Sequence, residues 1–432
     1  ISSIGYIRVA FQLRGGDMNK AIQLIILCGL ILLLVGLYSC DDPVPDEVED
    51  LYPQEQIPWP SLADTPWPMV RHDPQGTNRS GEEGLNTVNG VSLVATDAYY
   101  ESPAVLDSDN GLLRLGTDEH WTILEHFNVT YSYLDWRLPI DYDPEIVFAP
   151  TLASNNRIYI PGQRSIWALD MQTREVIWEY QNVDYTASNI TIGLSGELYY
   201  FASDPLELIC LNSDGSLRWS HENPVHTNLG PTPIVMSPGG EYIYFSSGED
   251  ITCLSTEGEL IWQFPTEESW VGFLMIDNAG NIYFFANQLS SILCVTPLGQ
   301  VRWQTTINSL GITRIHTTTA PTIDFGGNLY YSAKDTSGLV GVISLDNEGF
   351  GRWFRPVVTV ADLVSDRNNH IYYGHTSYPN HFMGAISEDG DIVWEFELSN
   401  IHGRLANAPV ITASGEVVYT LYGFNLHAIK LH

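Results

Sequence analysis

The stretch that decides the fold is residues 168–178, ALDMQTREVIW, in which a polar turn leads into a short apolar strand that carries Trp178. The same arrangement recurs along the chain. The tryptophans at this place are Trp136, Trp178, Trp219, Trp262, Trp303, Trp353 and Trp394. Their spacings are 41 to 43 residues, except for 50 residues between Trp303 and Trp353. A period this regular indicates an internal structural repeat.

Each repeat contains four short apolar segments. In the third repeat they are residues 189–193, 198–202, 206–211 and 217–221, and Gly or Pro occurs in every intervening turn. Alternation with a period of two residues predicts strands, and no long segment has the 3.6-residue period of a helix pair. About 42 residues with four strands is the size of one β-propeller blade.

The strands that open the repeats give the number of blades. Eight such openings lie near Pro103, Pro150, Ile190, Pro233, Phe273, Pro321, Leu363 and Pro409. The last unit reaches only its third strand before His432, and residues 91–95, VSLVA, are expected to supply its outer strand. This pairing leaves no open sheet edge at the seam. The sequence therefore predicts an all-β fold, an eight-bladed β-propeller of four-stranded blades whose last blade is closed by an N-terminal strand.

The tryptophan stretch also resembles a family motif. Residues 168–178 are similar to the tryptophan-docking motif of quinoprotein dehydrogenases, Ala-x-Asp-x-x-Thr-Gly-x-x-x-Trp, with Arg174 in place of the glycine. Residues 67–77, WPMVRHDPQGT, resemble the lead-in of bacterial quinoprotein-like repeat proteins. The resemblance to these PQQ-like repeat propellers covers residues 66–432, and it implies that each repeated indole docks between neighbouring blades and joins them.

The charge of the chain restricts its partners. It contains 52 acidic and 19 basic residues, and its net charge is −33. A surface this negative repels nucleic acid and anionic lipid, which excludes polyanions of that kind as partners. Acidity of this degree also keeps an exported protein soluble.

The beginning of the sequence predicts a targeting signal. Lys20, an apolar run from Ala21 to Leu37, and a final Cys40 resemble a bacterial lipoprotein signal, which implies that Cys40 receives the lipid. A plain transmembrane anchor is the alternative, because the apolar run is nearly long enough to span. The expected location is the bacterial cell envelope, with the chain lipid-anchored to the outer membrane on its periplasmic or outer side.

The same features divide the chain into domains. Residues 1–39 form the signal region, in which residues 1–17 are interpreted as a start-site artefact and residues 18–39 as the signal peptide. Residues 40–65 are acidic and contain prolines, so we expect a disordered tether. Residues 66–432 form the propeller, and residues 67–77 either pack under it or present Arg71 and His72 to a partner.

The residues do not predict an enzyme. In the enzyme branch, the resemblance implies pyrroloquinoline quinone with calcium, a catalytic aspartate and a disulfide between adjacent cysteines. Cys210, Cys253 and Cys294 instead occupy the same strand of three successive blades, so we expect small packing residues. No Gly-x-Ser-x-Gly, P-loop or His-Glu-x-x-His motif occurs. Residues 107–111, DSDNG, look like a calcium loop but fall at a hairpin turn. We expect no cofactor, no metal and no catalytic residue.

One face of the propeller is the candidate binding surface. The links that enter each inner strand, and those between the second and third strands, surround the channel mouth on the same face. His221, His226, His316, His375, His381 and His402 fall in these links. The candidate ligand- or partner-binding residues are Trp270, Arg314, His316, His375, His402 and Arg404. Such loops bind ligands or partners in many folds, although polar loops also tolerate histidine without any function.

Two functional hypotheses follow. The first is a non-enzymatic scaffold that acts through protein–protein contacts, since the chain resembles the propeller lipoproteins of the outer-membrane β-barrel assembly machinery, which carry no cofactor. The second is a surface lipoprotein that recognises a polar ligand such as a carbohydrate at the channel mouth. A quinone-dependent dehydrogenase is a third hypothesis, against which the cysteine spacing argues.

Overall fold

The structure is a computed structural model, and it describes most of the chain from Gln54 onward. The described residues are 54–94, 99–100, 102–117, 121–141, 148–182, 185–203, 207–222, 233–246, 250–266, 271–286, 290–359, 361–377, 380–399, 403–405, 407–424 and 428–432. All of them belong to one compact unit, Asp50–His432. The predicted signal region, residues 1–39, and Cys40 lie outside the described residues.

The described residues form strands and a single short 3-10 helix, η1 (Ile307–Leu310). In chain order the strands are β1 (Val91–Val94), β2 (Tyr99–Tyr100), β3 (Val105–Leu106), β4 (Gly111–Thr117), β5 (Thr122–Asn128), β6 (Tyr133–Asp141), β7 (Thr151–Ala153), β8 (Arg157–Pro161), β9 (Ser165–Asp170), β10 (Val176–Gln181), β11 (Thr191–Ile192), β12 (Leu198–Ala202), β13 (Glu207–Leu211), β14 (Leu217–Glu222), β15 (Val235–Met236), β16 (Tyr242–Ser246), β17 (Asp250–Ser255), β18 (Leu260–Pro265), β19 (Met275–Ile276), β20 (Ile282–Ala286), β21 (Ser291–Val295), β22 (Val301–Thr306), β23 (Ile312–Ile315), β24 (Thr322–Ile323), β25 (Leu329–Asp335), β26 (Val340–Leu345), β27 (Gly351–Arg355), β28 (Val364–Ser365), β29 (Ile371–Ser377), β30 (Asn380–Ile386), β31 (Ile392–Ser399), β32 (Arg404–Leu405), β33 (Val410–Ile411), β34 (Val417–Phe424) and β35 (Ala428–Leu431).

These strands form eight antiparallel four-stranded blades in a propeller, as the sequence predicts. The blades are β3–β6, β7–β10, β11–β14, β15–β18, β19–β22, β24–β27, β28–β31, and β33–β35 with β1. The inner strands begin within two residues of the eight predicted openings. Blade 6 has an additional strand, β23, which pairs with β25. The extra strand and η1 account for the long spacing between Trp303 and Trp353.

The ring closes at blade 8 through an N-terminal strand. β1 pairs antiparallel with β35, and Val91 lies opposite Leu431. β2 pairs with both β34 and β4, so blades 8 and 1 are joined in one continuous sheet. The predicted closure is confirmed, and it leaves the last blade with its fourth strand.

Each of blades 2 to 7 contains a tyrosine–tryptophan pair. A tyrosine of the second strand is buried and lies against the tryptophan of the fourth strand, with ring centroids 5.7 to 6.0 Å apart. The pairs are Tyr159–Trp178, Tyr199–Trp219, Tyr244–Trp262, Tyr283–Trp303, Tyr330–Trp353 and Tyr372–Trp394. Large aromatic side chains of this kind contribute most of the buried area of a short-stranded sheet.

The same tryptophans connect neighbouring blades. Each indole N–H donates to a backbone carbonyl in the turn before the fourth strand of the next blade. The acceptors are Ser213 for Trp178, Thr256 for Trp219, Pro297 for Trp262, Asn347 for Trp303 and Glu388 for Trp353, at 2.7 to 3.1 Å. Trp394 donates to Leu85 O at 2.8 Å, because blade 8 takes its fourth strand from the N-terminal segment.

Among the described residues, the structure contains no helix that is long and apolar enough to cross a membrane.

Candidate functional site

One end of the central channel is covered by residues 54–85, which we call the plug segment. Its backbone carbonyls accept hydrogen bonds from the inner strands of six blades. The pairs are Trp67–Leu106, Pro68–Leu152, Pro74–Met236, Gln75–Ile276, Thr77–Ile323 and Asn78–Ser365. In blade 3, Trp59 Nε1 donates to Ile192 O at 3.0 Å. The segment therefore contacts every blade from 1 to 7 in turn.

Part of the plug segment lies in the region that the sequence predicts to be a disordered tether. Residues 54–65 were expected to belong to the tether, but Trp59 and Leu62 are each 8% exposed and pack in the core. Arg71 and His72 are 4% and 3% exposed. Residues 67–77 therefore pack against the propeller, and the alternative in which Arg71 and His72 face a partner is wrong.

Arg71 extends from the plug segment into the channel. Its Nη1 donates to Leu274 O at 2.8 Å, and its guanidinium lies 5.3 Å from the centroid of the Phe273 ring. Burial lowers the pKa of Arg71 to about 10, although Asp362 and Asp73 raise it. Burial also raises the pKa of Asp362 to about 6. The channel is thus filled by the protein's own chain as far as the beginning of the inner strands.

Two further charged side chains of the plug segment are satisfied internally. Asp73 Oδ1 accepts from Thr77 N at 3.1 Å, and Asp73 Oδ2 lies 3.4 Å from His72 Nδ1. Burial alone would raise the pKa of Asp73, but His72, Thr77 and Arg79 lower it overall. Arg79 donates to Asp324 O at 3.3 Å and to Glu55 O at 3.1 Å. These contacts explain how buried charges are tolerated here.

The opposite face carries the sequence-predicted binding residues, and the structure brings them together in two groups. The first group is on blade 6, where β23 carries Arg314 and leads to His316. Arg314 lies directly opposite Lys334 of β25. Burial lowers the pKa of His316, and Arg314 and Lys334 lower it further. The sequence analysis missed Lys334, because only the pairing of β23 with β25 brings it next to Arg314.

The second group spans blades 7 and 8. His375 of β29 stacks on Phe382 with ring centroids 6.4 Å apart, and burial, followed by His381, lowers its pKa. Thr376 Oγ1 lies 3.0 Å from His381 Nδ1 and accepts from Leu405 N at 2.8 Å. Arg404 precedes Leu405 and is exposed. The candidate residues Trp270 and His402 lie outside the described residues.

The residues that resemble chemical motifs have structural roles. Asp107 Oδ1 accepts from Asp109 N and Gly111 N, so residues 107–111 form the predicted hairpin turn. Cys210, Cys253 and Cys294 are buried free thiols on equivalent strands. Burial raises the pKa of Cys210 and Cys253 to about 12, so these thiols remain protonated.

The described residues do not form the calcium site or the disulfide between adjacent cysteines that the resemblance to the quinone enzymes implies. Between Gln54 and His432, the described positions include no group of three or more His, Cys, Asp or Glu that could hold a metal ion. The three cysteines lie on separate blades, so no disulfide between adjacent cysteines forms among them. The plug segment also occupies one end of the channel.

A cleft of about 700 Å³ lies on the plug side, between the plug segment and the turns of blades 1 and 2. Its walls include Trp59, Leu62 and Met171, and its polar groups include His72 and Asp73. A smaller cavity of about 280 Å³ adjoins it and is lined by His126 and Trp136 among others. This cleft could not be predicted from the sequence, because its walls come from segments that are far apart along the chain, such as Trp59 and Met171.

Comparisons with known proteins agree with the repeat and with the fold. Residues 165–396, more than half of the chain, match the family described as outer membrane protein assembly factor BamB. The chain belongs to this family. A search of the curated proteins gave no match.

Solved structures share the fold of this BamB-family chain at low sequence identity. BamB from Moraxella catarrhalis is 12% identical with a TM-score of 0.55, and the match covers 79% of this chain and 100% of that one. A quinohemoprotein alcohol dehydrogenase from Comamonas testosteroni is 9% identical with a TM-score of 0.64, covering 86% and 81%. A europium-containing methanol dehydrogenase is 10% identical with a TM-score of 0.61, covering 84% and 90%. The structural neighbours thus include both an assembly factor and enzymes, and the likeness shows the fold alone.

Proposed function

We propose that this chain is a non-enzymatic scaffold lipoprotein of the bacterial cell envelope that binds a protein partner through the face around its channel mouth. The observation that carries the proposal is the plug segment. It fills one end of the channel with buried side chains such as Arg71 and Arg79, so the exposed links of the opposite face remain for binding. The chain also belongs to the family described as outer membrane protein assembly factor BamB, and this membership supports the proposed scaffold role.

The proposed location is the outer membrane, with Cys40 as the lipid attachment site. The support is the sequence pattern that ends at Cys40 and the description of the family. Mass spectrometry of the mature protein should find a lipid-modified N-terminal cysteine, and Cys40→Ser should abolish the modification. An unmodified N-terminus would contradict this part of the proposal.

A crosslinking pull-down from intact cells tests the scaffold role. The full chain carries a tag after His432, and captured proteins are identified by mass spectrometry. We expect a membrane protein or an assembly protein at stoichiometric yield. Recovery of the tagged chain alone, under conditions in which a known envelope complex is captured, would contradict a stable protein partner.

The proposal that the chain is not an enzyme has its own test. The purified chain is incubated with pyrroloquinoline quinone and calcium, and its absorbance and alcohol oxidation are measured. We expect neither bound quinone nor turnover, because the described residues do not fit such a site. Stoichiometric quinone binding with turnover would contradict the proposal.

Recognition of a polar ligand such as a carbohydrate is a second candidate function. The cleft of about 700 Å³ on the plug side favours it, since ligand sites have volumes of about 300–1,000 Å³ and combine apolar walls with a few polar groups. A glycan array and thermal-shift screening test this candidate. We expect Ser154→Tyr, which places a ring in the cleft, to remove any hit that binds there.

A further inference from the structure

The basic residues of this acidic protein are almost all engaged. Most arginine and lysine side chains of the described residues contact a carbonyl, a carboxylate, a hydroxyl or an aromatic ring. Examples are Arg71, Arg79, Arg137, Arg157, Arg164, Arg174, Arg218, Arg302, Arg352, Arg355, Arg367 and Lys430. Within the described part of the chain, the side chains of Arg314, Lys334 and Arg404 make no hydrogen bond, ion pair or ring contact, and by the topology of the blades all three lie around the channel mouth.

Arg314 and Lys334 are a directly opposed pair of like charges. β23 pairs antiparallel with β25, and the register places Arg314 across from Lys334. Both side chains are exposed. Residues directly opposite each other point to the same side of a sheet, and like charges at such positions destabilise the pairing.

The opposed pair exists only because of the insertion in blade 6. β23 is an additional strand of this blade, and its register shifts between Ile312 and Arg314. At the shift, Thr313 Oγ1 donates to Lys334 O and Asp335 O, both at 3.1 Å. The inserted strand is thus fixed in the register that holds the two cations together.

Among the described residues, the carboxylate next to the pair in sequence does not neutralise it. Asp335 follows Lys334, but its carboxylate accepts hydrogen bonds from Ser337 and from Leu339 N in its own turn. Burial raises the pKa of Asp335, but those hydrogen bonds lower it overall. The carboxylate therefore remains ionised and stays bound to the groups of its own turn. His316 is a titratable neighbour of the pair, and its Nε2 is buried without a hydrogen-bond partner among the described atoms.

We propose that Arg314 and Lys334 form a docking site for a carboxylate on an acidic segment of a protein partner. An arginine fork binds a carboxylate with two hydrogen bonds, and a second cation opposite it adds charge. The pair forms a local positive site on a body of net charge −33. Because the Debye length is about 8 Å at physiological ionic strength, distant carboxylates of the body repel the segment only weakly.

The shape of the site favours a protein segment over a small anion. The cavity beside His316 has only about 10 Å³ of space, and neither Arg314 nor Lys334 lines it, since both side chains are exposed. Small-molecule sites are concave and bury most of their ligand. Two exposed cations on a strand pair suit a larger partner that makes further contacts. This inference rests on the proposed function, since it names what the scaffold recognises.

The test uses the full chain in detergent and a fluorescent hexaglutamate peptide, with hexaglutamine as the uncharged probe. We expect hexaglutamate alone to bind, and Arg314→Gln and Lys334→Gln each to weaken binding by at least about fivefold. Arg164→Gln is the matched control, because it removes one exposed charge from the same face of blade 2. Its effect should stay below about twofold, since Arg164 already donates to Tyr185 Oη at 2.9 Å.

His316 provides a second readout that a structural role would not give. Arg314 and Lys334 lower its pKa, so a bound carboxylate that offsets their charge should raise it. The ring signals are followed by NMR against pH with and without hexaglutamate, and His316→Gln assigns them. Arg314→Gln should raise the same pKa without any peptide. Unchanged titration on binding would place the peptide elsewhere and overturn the inference.

The remaining outcomes are decisive as well. If Arg164→Gln weakens hexaglutamate binding as much as Arg314→Gln does, the peptide is attracted by the overall charge of the face and not by a specific site. Inorganic phosphate that binds as tightly as hexaglutamate would show a small-anion site. In the pull-down, a partner captured equally by wild type and by Arg314→Gln/Lys334→Gln would leave the scaffold function standing and remove this site. Hexaglutamate binding without any captured partner would leave this site standing and contradict the scaffold function.

Discussion

Two junctions between blades use the same tryptophan motif but close it in different ways. Between blades 3 and 4, Trp219 donates to Thr256 O at 2.9 Å, and Gly258 lies so close that an added Cβ would be 2.9 Å from the indole. Between blades 1 and 2, Arg174 occupies the glycine position, and its guanidinium lies 4.7 Å from the Trp136 ring centroid. The motif determines where the indole lies, and the residue in the turn determines whether backbone or side chain covers it.

Blade 1 differs on the other side of its indole too. In the register of the strands, His126 lies opposite Trp136, whereas Cys210 and Cys253 lie opposite Trp219 and Trp262. His126 stacks on Trp136 with centroids 5.1 Å apart, and its Nε2 lies 2.8 Å from Asp107 Oδ2. Thus a polar network takes the place of a small thiol beside the cavity of about 280 Å³.

The largest expected effect comes from removing a regular indole. Trp219→Ala should lower the free energy of unfolding by about 3 kcal/mol, because it deletes a half-buried ring and the hydrogen bond to Thr256 O. Urea unfolding followed by far-UV circular dichroism measures the change. The control is Tyr131→Ala, which removes an aromatic ring that is 74% exposed. A loss below about 1 kcal/mol, which is close to the effect of a surface substitution, would mean that the indole does not join the blades.

The next effect isolates the close approach of backbone to indole. Gly258→Ala should cost about 2 kcal/mol, since its φ of +83° disfavours a side chain and its Cβ would press on Trp219. Gly311→Ala is the matched control, because φ there is +72° with nothing within 4 Å, and it should cost about 1 kcal/mol. Equal costs for the two variants would refute the packing part of the argument.

A smaller effect is expected in the irregular blade. His126→Cys introduces the residue that blades 3 to 5 carry at the equivalent position, and it should cost about 1 kcal/mol. It removes the contact with Asp107 and the stack on Trp136, and both groups remain partly exposed. Cys253→Ala in a regular blade serves for comparison. An increase in stability would show that His126 is retained at a cost to the fold.

The smallest effect is expected at Arg174. Arg174→Gly should change the free energy of unfolding by less than about 0.5 kcal/mol, because relief of the strained φ of +65° offsets the lost cation–π contact. Arg174→Ala keeps the strain and loses the contact, so it should be the less stable of the two. If the glycine variant is clearly the less stable, the side chain matters more at this junction than the backbone.

The repeat could be predicted because its signals are local. Alternating apolar residues, turn residues such as Gly215, and the regular tryptophans predict blades without knowledge of any distant contact. The strand at residues 91–95 followed from counting, since an eighth blade lacked its fourth strand. The burial of Trp59 and Leu62 was missed, because prolines and acidic residues near Trp59 have the composition of a tether.

The candidate site was predicted only in outline. Topology assigns Arg314, His316, His375 and Arg404 to one face, because links at the same end of each blade share that face. Their separation into two groups depends on side-chain contacts, such as that between Thr376 and His381, which no spacing encodes.

The sequence by itself determined the all-β propeller, its eight blades and its closure, because strand periodicity and turn chemistry act over a few residues. Only the tertiary structure decided that Arg71 fills the channel, since its partner Leu274 lies 203 positions away. It also decided that Arg314 faces Lys334, because a register shift at Thr313 sets that pairing. Contacts of this kind depend on how separate segments pack against each other, and that packing minimises the free energy of the whole fold and not of any single stretch.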